Sequence, residues 1–210
     1  MTAPDDSSTG IARPGFCPPE VTKVLFLDID GVIRPFRRDV NYSVNSDPRE
    51  LRKVHKELFK IHKIDYSGYD EYDVRIVYFS WDRKAASLVK DIATKTGAGI
   101  VLSSSWRYPD SLDPVYDYFR IHDLHKHYID NTKIYTSEEM AALRKKYGAI
   151  TTNARTIEIR EYLEQHPQIA NYVAIDDMEL NPGLENHFVK AAHGKLTKKE
   201  AAEALKILNS

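Results

Sequence analysis

A run of four apolar residues leads directly into two carboxylates in the segment VLFLDIDGV, residues 24–32. Short runs that are apolar on both faces are typical of central strands in a parallel sheet. Gly31 then allows the backbone to turn sharply after the run. The segment therefore predicts a buried strand over residues 24–27, with Asp28 and Asp30 at its carboxyl end.

Two further apolar runs, residues 99–103 and 172–175, have the same character and also end in small or acidic residues. Helical spacing of apolar residues is found over residues 84–96, 154–165 and 198–208. Gly97 is the expected end of the first of these helices, and Thr197 is the expected N-cap of the last. Alternating strands and helices predict an α/β fold with a mostly parallel sheet flanked by helices.

The segment 34–80 interrupts this alternation and predicts a small cap or flap inserted after the first strand. It contains a helical pattern over residues 48–61 and a pattern that predicts a strand over residues 74–79. An insertion at this point would lie above the carboxyl ends of the strands, where open α/β sheets bind ligands. Five aromatic residues in or directly after this segment either line the entrance or complete the core of a small cap; they are Tyr66, Tyr69, Tyr72, Tyr78 and Trp81.

The length of 210 residues predicts one domain, residues 21–210, after a disordered tail at residues 1–20. The formal net charge of −1 provides no overall basic field that would indicate a nucleic-acid partner. The single cysteine, Cys17, cannot form a disulfide framework. The tail lacks the apolar centre of a signal peptide, and no stretch is apolar enough to span a membrane. We therefore expect a cytoplasmic protein.

Two carboxylates directly after a buried strand suit a metal-assisted phosphoryl transfer. Asp28 can attack phosphorus and form an aspartyl-phosphate, while Asp30 can protonate the leaving oxygen and then activate water. A Mg²⁺ ion bound by oxygen ligands would offset the repulsion between carboxylate and phosphate. The alternative for the isolated motif is an ordinary turn in which the aspartates bond to the backbone.

The other strand ends carry groups that complement these carboxylates. The second apolar run ends in SSSWR, residues 103–107, where Ser104 and Ser105 can bind phosphate oxygens. The third ends in Asp176 and Asp177, which are suitable Mg²⁺ ligands. Arg155, in the helix before that run, can bind phosphate. The alternatives are helix caps, turns and a solvent-exposed arginine.

Taken in order, these residues resemble the motifs of the haloacid dehalogenase (HAD) superfamily. DIDGV, residues 28–32, is similar to its first motif, Ser104 to its second, Arg155 to its third, and Asp176 with Asp177 to its fourth. The resemblance spans residues 23–208. Within the superfamily, the segments IVLSSSWR and AIDD resemble a compact subgroup, whose members occur in RNA-repair assemblies and as phosphotyrosine phosphatases delivered by intracellular bacterial pathogens.

The resemblance implies a Rossmann-like core and assigns a role to each motif residue. Asp28 would be the nucleophile and Asp30 the acid/base, with the Asp30 backbone carbonyl also binding Mg²⁺. Asp177 would be the direct metal ligand, with Asp176 beside it and Asp28 on the same ion. Ser103 is an alternative to Ser104 at the phosphate site.

Arg160 is likewise an alternative to Arg155, and three more arginines follow the first motif. Arg34, Arg37 and Arg38 either attract a phosphorylated substrate or face solvent.

We therefore expect a Mg²⁺-dependent phosphomonoester hydrolase that acts on a phosphorylated macromolecule. The subgroup resemblance and the aromatic, basic insertion favour phosphotyrosine in proteins as the substrate, and the same resemblance allows delivery into a host cell. A phosphatase of nucleic-acid ends or nucleotides is the alternative. A phosphate-binding module without turnover is the alternative of another class, although such a module has no need of the acid/base Asp30.

Overall fold

In a computed structural model that describes residues 17–36, 48–107 and 113–210, the chain forms five strands and seven α-helices. The strands are β1 (Lys23–Leu27), β2 (Gly99–Leu102), β3 (Tyr128–Asn131), β4 (Asn171–Asp176) and β5 (Phe188–Lys190). The helices are α1 (Pro48–His62), α2 (Glu71–Ser80), α3 (Arg83–Thr96), α4 (Asp113–Arg120), α5 (Ser137–Tyr147), α6 (Ala154–Gln165) and α7 (Lys198–Leu208).

The five strands form one sheet in the order β3-β2-β1-β4-β5, and all four neighbouring pairs are parallel. Leu27, the last residue of β1, lies opposite Leu102 of β2 and Ile175 of β4. The segments that follow these three strands therefore meet at one edge of the sheet. The prediction of an α/β fold with a parallel sheet is confirmed.

Both faces of the central strand are buried, as its apolar run predicts. Leu25 and Leu27 belong to the larger hydrophobic cluster, which includes residues of α3 and α7. Val24 and Phe26 belong to a second cluster on the other face, which includes residues of α6. This two-sided burial holds β1 rigidly and fixes where Asp28 emerges from the sheet.

The described helices α6 and α7 have the bounds that apolar spacing predicts, and α3 begins one residue earlier. Gly97 ends α3 in the left-handed conformation, with φ of 71°. The Glu200 carboxylate accepts a hydrogen bond from the backbone N–H of Thr197 at 2.7 Å, which caps α7.

The strand predicted over residues 74–79 is wrong, because this segment belongs to helix α2. The Asp70 side chain accepts hydrogen bonds from the backbone N–H groups of Tyr72 and Asp73 and so begins the helix. Val74, Ile76 and Val77 are its buried residues. The capping aspartate was the stronger sequence indication, and the β-branched residues concealed it.

The insertion after β1 is anchored to the core. Tyr66 is fully buried and donates a hydrogen bond to the backbone oxygen of Asp117 in α4 at 2.8 Å, and the Tyr69 hydroxyl donates to the Asp117 carboxylate. Trp81 is also buried and stacks on His122. Two of the five aromatic residues thus complete the core. The role of segment 34–80 as a cap stays a prediction, and residues 37–47 lie outside the described part.

The first described residue, Cys17, already packs in the hydrophobic core. Cys17 is 1% exposed and belongs to the same hydrophobic cluster as Val24 and Phe26. Residues 1–16 of the predicted tail lie outside the described residues. In the described part of the chain, no helix combines the length and the apolar character needed to cross a membrane.

Candidate active site

Asp28 lies directly after β1, and its side chain is almost completely enclosed. Its backbone N–H donates to Ile175 O at 3.0 Å, which extends the β1–β4 pairing by one residue. Its Oδ1 lies 3.1 Å from Arg155 Nη1, and the Ser104 hydroxyl also bonds to the carboxylate. Burial raises the pKa of Asp28 to about 6, although Arg155 and Ser104 act in the opposite direction. The result is a buried carboxylate held by a cation and a hydroxyl.

Asp176 and Asp177 bring two more carboxylates to Asp28, with an oxygen of each within 4.8 Å of the others. Asp176 is 1% exposed; its Oδ1 accepts from Met178 N at 2.8 Å, while its Oδ2 is buried without a hydrogen bond. Burial and the charge of Asp28 raise the pKa of Asp176 to about 7. An oxygen-only group with excess negative charge and a buried oxygen that has no hydrogen bond can hold a hard divalent cation.

Gly31 allows the Asp28 loop to approach Asp177 closely. Its φ is 76°, and a Cβ atom at this position would lie 2.7 Å from both Cβ and Cγ of Asp177. Any other residue would therefore strain the backbone and displace the Asp177 carboxylate. The glycine of the DIDGV segment serves the acidic cluster as well as the turn.

Asp30 faces groups other than those around Asp28. Its Oδ1 accepts from Arg34 Nη1 at 2.8 Å, and its Oδ2 accepts from the indole Nε1 of Trp106 at 3.2 Å. Arg34 belongs to the start of the insertion. Trp106 follows residues 103–105, the serine loop after β2. Arg37 and Arg38 lie outside the described residues.

The serine loop places its three hydroxyl groups differently. Ser103 is buried and still belongs to the sheet edge, since its backbone N–H donates to Leu27 O at 2.9 Å. Ser104 is fully buried, and its hydroxyl bonds to Asp28. Ser105 is exposed at the surface of the loop. Of the two alternatives for the second motif, Ser104 is the one whose hydroxyl contacts the predicted nucleophile.

The two candidate arginines of α6 also differ in position. Arg155 contacts Asp28, and its Nη1 lies 3.5 Å from Asp176 Oδ2. Arg160 instead donates to the backbone oxygen of Gly183 at 2.8 Å and lies over the ring of Tyr147. Arg155 is therefore the arginine of α6 that faces the predicted nucleophile.

Two charged residues beside the site were not predicted. Arg107 donates to Ser104 O at 2.6 Å and to the Thr132 hydroxyl at 2.6 Å. Its Nη1 also lies 2.8 Å from Glu158 Oε2. The sequence holds an indication for each, since Arg107 ends the SSSWR segment and Glu158 lies one helical turn after Arg155. Both were hard to distinguish from surface charges.

The comparisons with known proteins match the chain to one family. A family model described as "HAD domain in Swiss Army Knife RNA repair proteins" matches residues 24–201, a range that includes every residue placed in the site above. Comparison with curated proteins and with solved structures found no match.

Proposed function

The chain belongs to the family of HAD domains in Swiss Army Knife RNA repair proteins and is a phosphatase-type hydrolase, and we propose that it removes a terminal phosphate from nucleic acid in a Mg²⁺-dependent reaction. The observation that carries the proposal is the convergence on Asp28 of Arg155, the Ser104 hydroxyl and two further carboxylates. These groups supply a nucleophile, phosphate-binding donors and candidate metal ligands within one buried site.

The proposed reaction has two steps on the Asp28 carboxylate. In the first, an Asp28 oxygen attacks phosphorus, the bond to the leaving oxygen breaks, and Asp30 gives that oxygen its proton. In the second, Asp30 takes a proton from water as the water oxygen attacks phosphorus, which releases phosphate and restores Asp28. The Asp30 carboxylate is held by hydrogen bonds from Arg34 and Trp106.

The donors around Asp28 suit the phosphoryl group. The Arg155 guanidinium can offer two parallel N–H groups to phosphate oxygens, and the Ser104 hydroxyl can donate a third bond. The exposed Ser105 can add its hydroxyl at the surface of the loop. Because Arg155 and Ser104 are fixed by burial, they can stabilise the charge that develops on phosphorus.

The residues present fit Mg²⁺. Asp28, Asp176 and Asp177 would hold it, together with the backbone carbonyl of Asp30 that the family resemblance implies. The fit rests on an oxygen-only donor set and on the buried Oδ2 of Asp176, which has no hydrogen bond and lies 3.5 Å from Arg155 Nη1. When bound, Mg²⁺ neutralises part of the negative charge that would otherwise repel the phosphate.

Two observations favour nucleic-acid ends over phosphotyrosine as the substrate. The matched family is that of RNA repair proteins. In addition, two of the aromatic residues that supported the phosphotyrosine prediction, Tyr66 and Trp81, are buried and cannot stack on a substrate ring. Helix α1 exposes Arg52, Lys56 and Lys60, which can contact the phosphate backbone of an oligonucleotide.

The test compares turnover of 3′- and 5′-phosphorylated oligonucleotides with that of phosphotyrosine and phosphoserine peptides in Mg²⁺. We expect the oligonucleotides to have the highest kcat/KM, and a preference for phosphotyrosine peptides would refute the substrate assignment. Asp28→Asn should lower kcat by about four orders of magnitude or more. Asp130→Asn is the control, because Asp130 is a partly buried carboxylate that accepts a hydrogen bond from the Tyr162 hydroxyl outside the site.

The same experiment separates an enzyme from a silent phosphate-binding module. A module would bind phosphate without turnover, and Asp28→Asn would then change nothing in the activity assay. Chelation of Mg²⁺ with EDTA should abolish turnover, and restored Mg²⁺ should recover it. Full activity in EDTA would contradict the metal dependence.

A further inference from the structure

A row of three buried charged side chains connects the serine loop to the predicted nucleophile. The side chains of Arg107, Glu158 and Arg155 are only 7%, 10% and 12% exposed. Glu158 Oε2 lies 2.8 Å from Arg107 Nη1 and 3.7 Å from Arg155 Nε. Buried charges of this kind persist only when they are paired, and here a single carboxylate oxygen serves two guanidinium groups.

Arg107 forms the outer end of this row of charged side chains. Its Nε donates to Ser104 O, and its Nη1 donates to the Thr132 hydroxyl, both at 2.6 Å. These bonds connect the loop after β2 to the residue after β3. Because the guanidinium is planar and its donors point in fixed directions, three partners leave it little freedom. Glu158 is therefore bound to a rigid group.

Arg155 forms the inner end. It precedes Glu158 by three residues, so both side chains lie on one face of α6. Its Nη1 lies 3.1 Å from Asp28 Oδ1 and 3.5 Å from Asp176 Oδ2, while its Nε faces Glu158. The guanidinium thus lies between carboxylates on two sides. Without Glu158, the site carboxylates would be the only described groups that hold this long side chain.

We infer that Glu158 is a positioning residue, which holds the Arg155 guanidinium beside Asp28 in the orientation that receives the substrate phosphate. Its negative charge keeps it from binding phosphate directly. This inference rests on the proposed function, in which Arg155 binds the phosphoryl group. It adds that the strength of phosphate binding depends on a residue that does not contact the substrate.

The test measures the Kd of orthophosphate in Mg²⁺ by calorimetry, together with kcat and KM for an aryl phosphate. Glu158→Gln keeps the size of the side chain and removes the charge that holds Arg155. Glu161→Gln is the matched control, since Glu161 is also buried on α6 but bonds to Lys146 and the Tyr147 hydroxyl. We expect Glu158→Gln to weaken phosphate binding about tenfold or more, and Glu161→Gln to change it less than about twofold.

A second comparison separates positioning from a general loss of packing. In an Arg155→Lys background, Glu158→Gln should weaken phosphate binding by less than about twofold further, because the guanidinium that it orients is already absent. Unchanged binding in Glu158→Gln, equal loss in Glu161→Gln, or full additivity with Arg155→Lys would each overturn the inference.

If Glu158→Gln does not fold, Arg107→Lys provides a second test, made in the wild type and in the Arg155→Lys background. Because Arg107 also bonds to Ser104 O, only a loss that disappears in the Arg155→Lys background is carried by Glu158 and Arg155. Lysine keeps the charge opposite Glu158 but cannot contact the three partners of the guanidinium, so phosphate binding should again weaken while Glu161→Gln stays near wild type. Unchanged binding in Arg107→Lys would then overturn the inference. A wild-type protein that binds phosphate but turns nothing over would refute the proposed function, and the comparison of variants would still decide the role of Glu158.

Discussion

Gly31→Ala should weaken Mg²⁺ binding through a contact inside the protein. A Cβ atom at residue 31 would lie 2.7 Å from Asp177 Cβ, nearer than two carbon atoms can approach without displacement. The contact is at the root of the Asp177 side chain, so a rotation of the carboxylate alone cannot relieve it. A ligand or the contact that supports it typically contributes about 10- to 100-fold to metal affinity. We therefore expect the Mg²⁺ concentration for half-maximal activity to rise at least about tenfold.

The backbone cost of this variant can be measured separately. Gly31 and Gly97 have φ of 76° and 71°, but a Cβ at Gly97 would meet nothing within 4 Å. A left-handed alanine costs about 1–2 kcal/mol at either position, which corresponds to a fall in Tm of about 2–8 °C for a chain of this size. Gly97→Ala should show this fall alone, with Mg²⁺ dependence unchanged.

The assays are aryl phosphate turnover against Mg²⁺ concentration and the rise in Tm that Mg²⁺ produces. Gly31→Ala should have a smaller Mg²⁺-induced rise in Tm than Gly97→Ala at the same Mg²⁺ concentration. If the two variants have equal Tm values and the same Mg²⁺ titration, Asp177 is not the ligand that the Gly31 contact positions.

Three further predictions follow from the charges of the site and of the insertion. Asp30→Asn should lower kcat/KM, which reports the first step, far more for alkyl phosphates than for aryl phosphates with good leaving groups, because only the former need a proton on the leaving oxygen; an equal loss in kcat/KM would contradict the acid role. Replacing Lys56 and Lys60 together by Gln should lower kcat/KM for oligonucleotides and flatten its salt dependence, while kcat/KM for small aryl phosphates stays the same. Unchanged kinetics with oligonucleotides would exclude α1 from substrate binding. The pKa of Asp176 is raised in the folded protein to about 7, so the folded state binds this proton more tightly than the unfolded chain does. The contribution of Asp176 to the stability of the fold therefore falls as pH rises from about 4 through 7. In EDTA, Asp176→Asn should therefore exceed the wild type in Tm at pH 8, with the difference shrinking toward pH 5, and a difference that grows toward pH 5 would reverse the assigned sign.

The sequence predicted the central part of the site because parallel strands place their carboxyl ends at one edge. Asp28, Ser104 and Asp176 each follow or end a strand that is apolar on both faces, so their meeting follows from the sheet alone. Arg155 required the family resemblance in addition, since one arginine on a helix is not distinguishable from a surface residue.

The remaining features depend on contacts that no local pattern encodes. Arg107 and Glu158 are 51 residues apart, and they meet only because α6 packs against the loop after β2. The outer strands β3 and β5 are short and include polar residues, which leaves a weak apolar pattern. In α2 the buried β-branched residues suggested a strand, although the Asp70 cap fixes a helix.

The measurement that tests the central claim most directly is chemical trapping of the phosphorylated enzyme during turnover. The reaction is stopped in acid within the first turnovers and treated with borohydride, which reduces an acyl phosphate to an alcohol, and the peptides are sequenced by mass spectrometry. We predict a reduced side chain at Asp28, absent from Asp28→Asn and from protein without substrate. Reduction at Asp30, Asp176 or Asp177 instead, or no reduced residue in an enzyme that is turning over, would contradict Asp28 as the nucleophile.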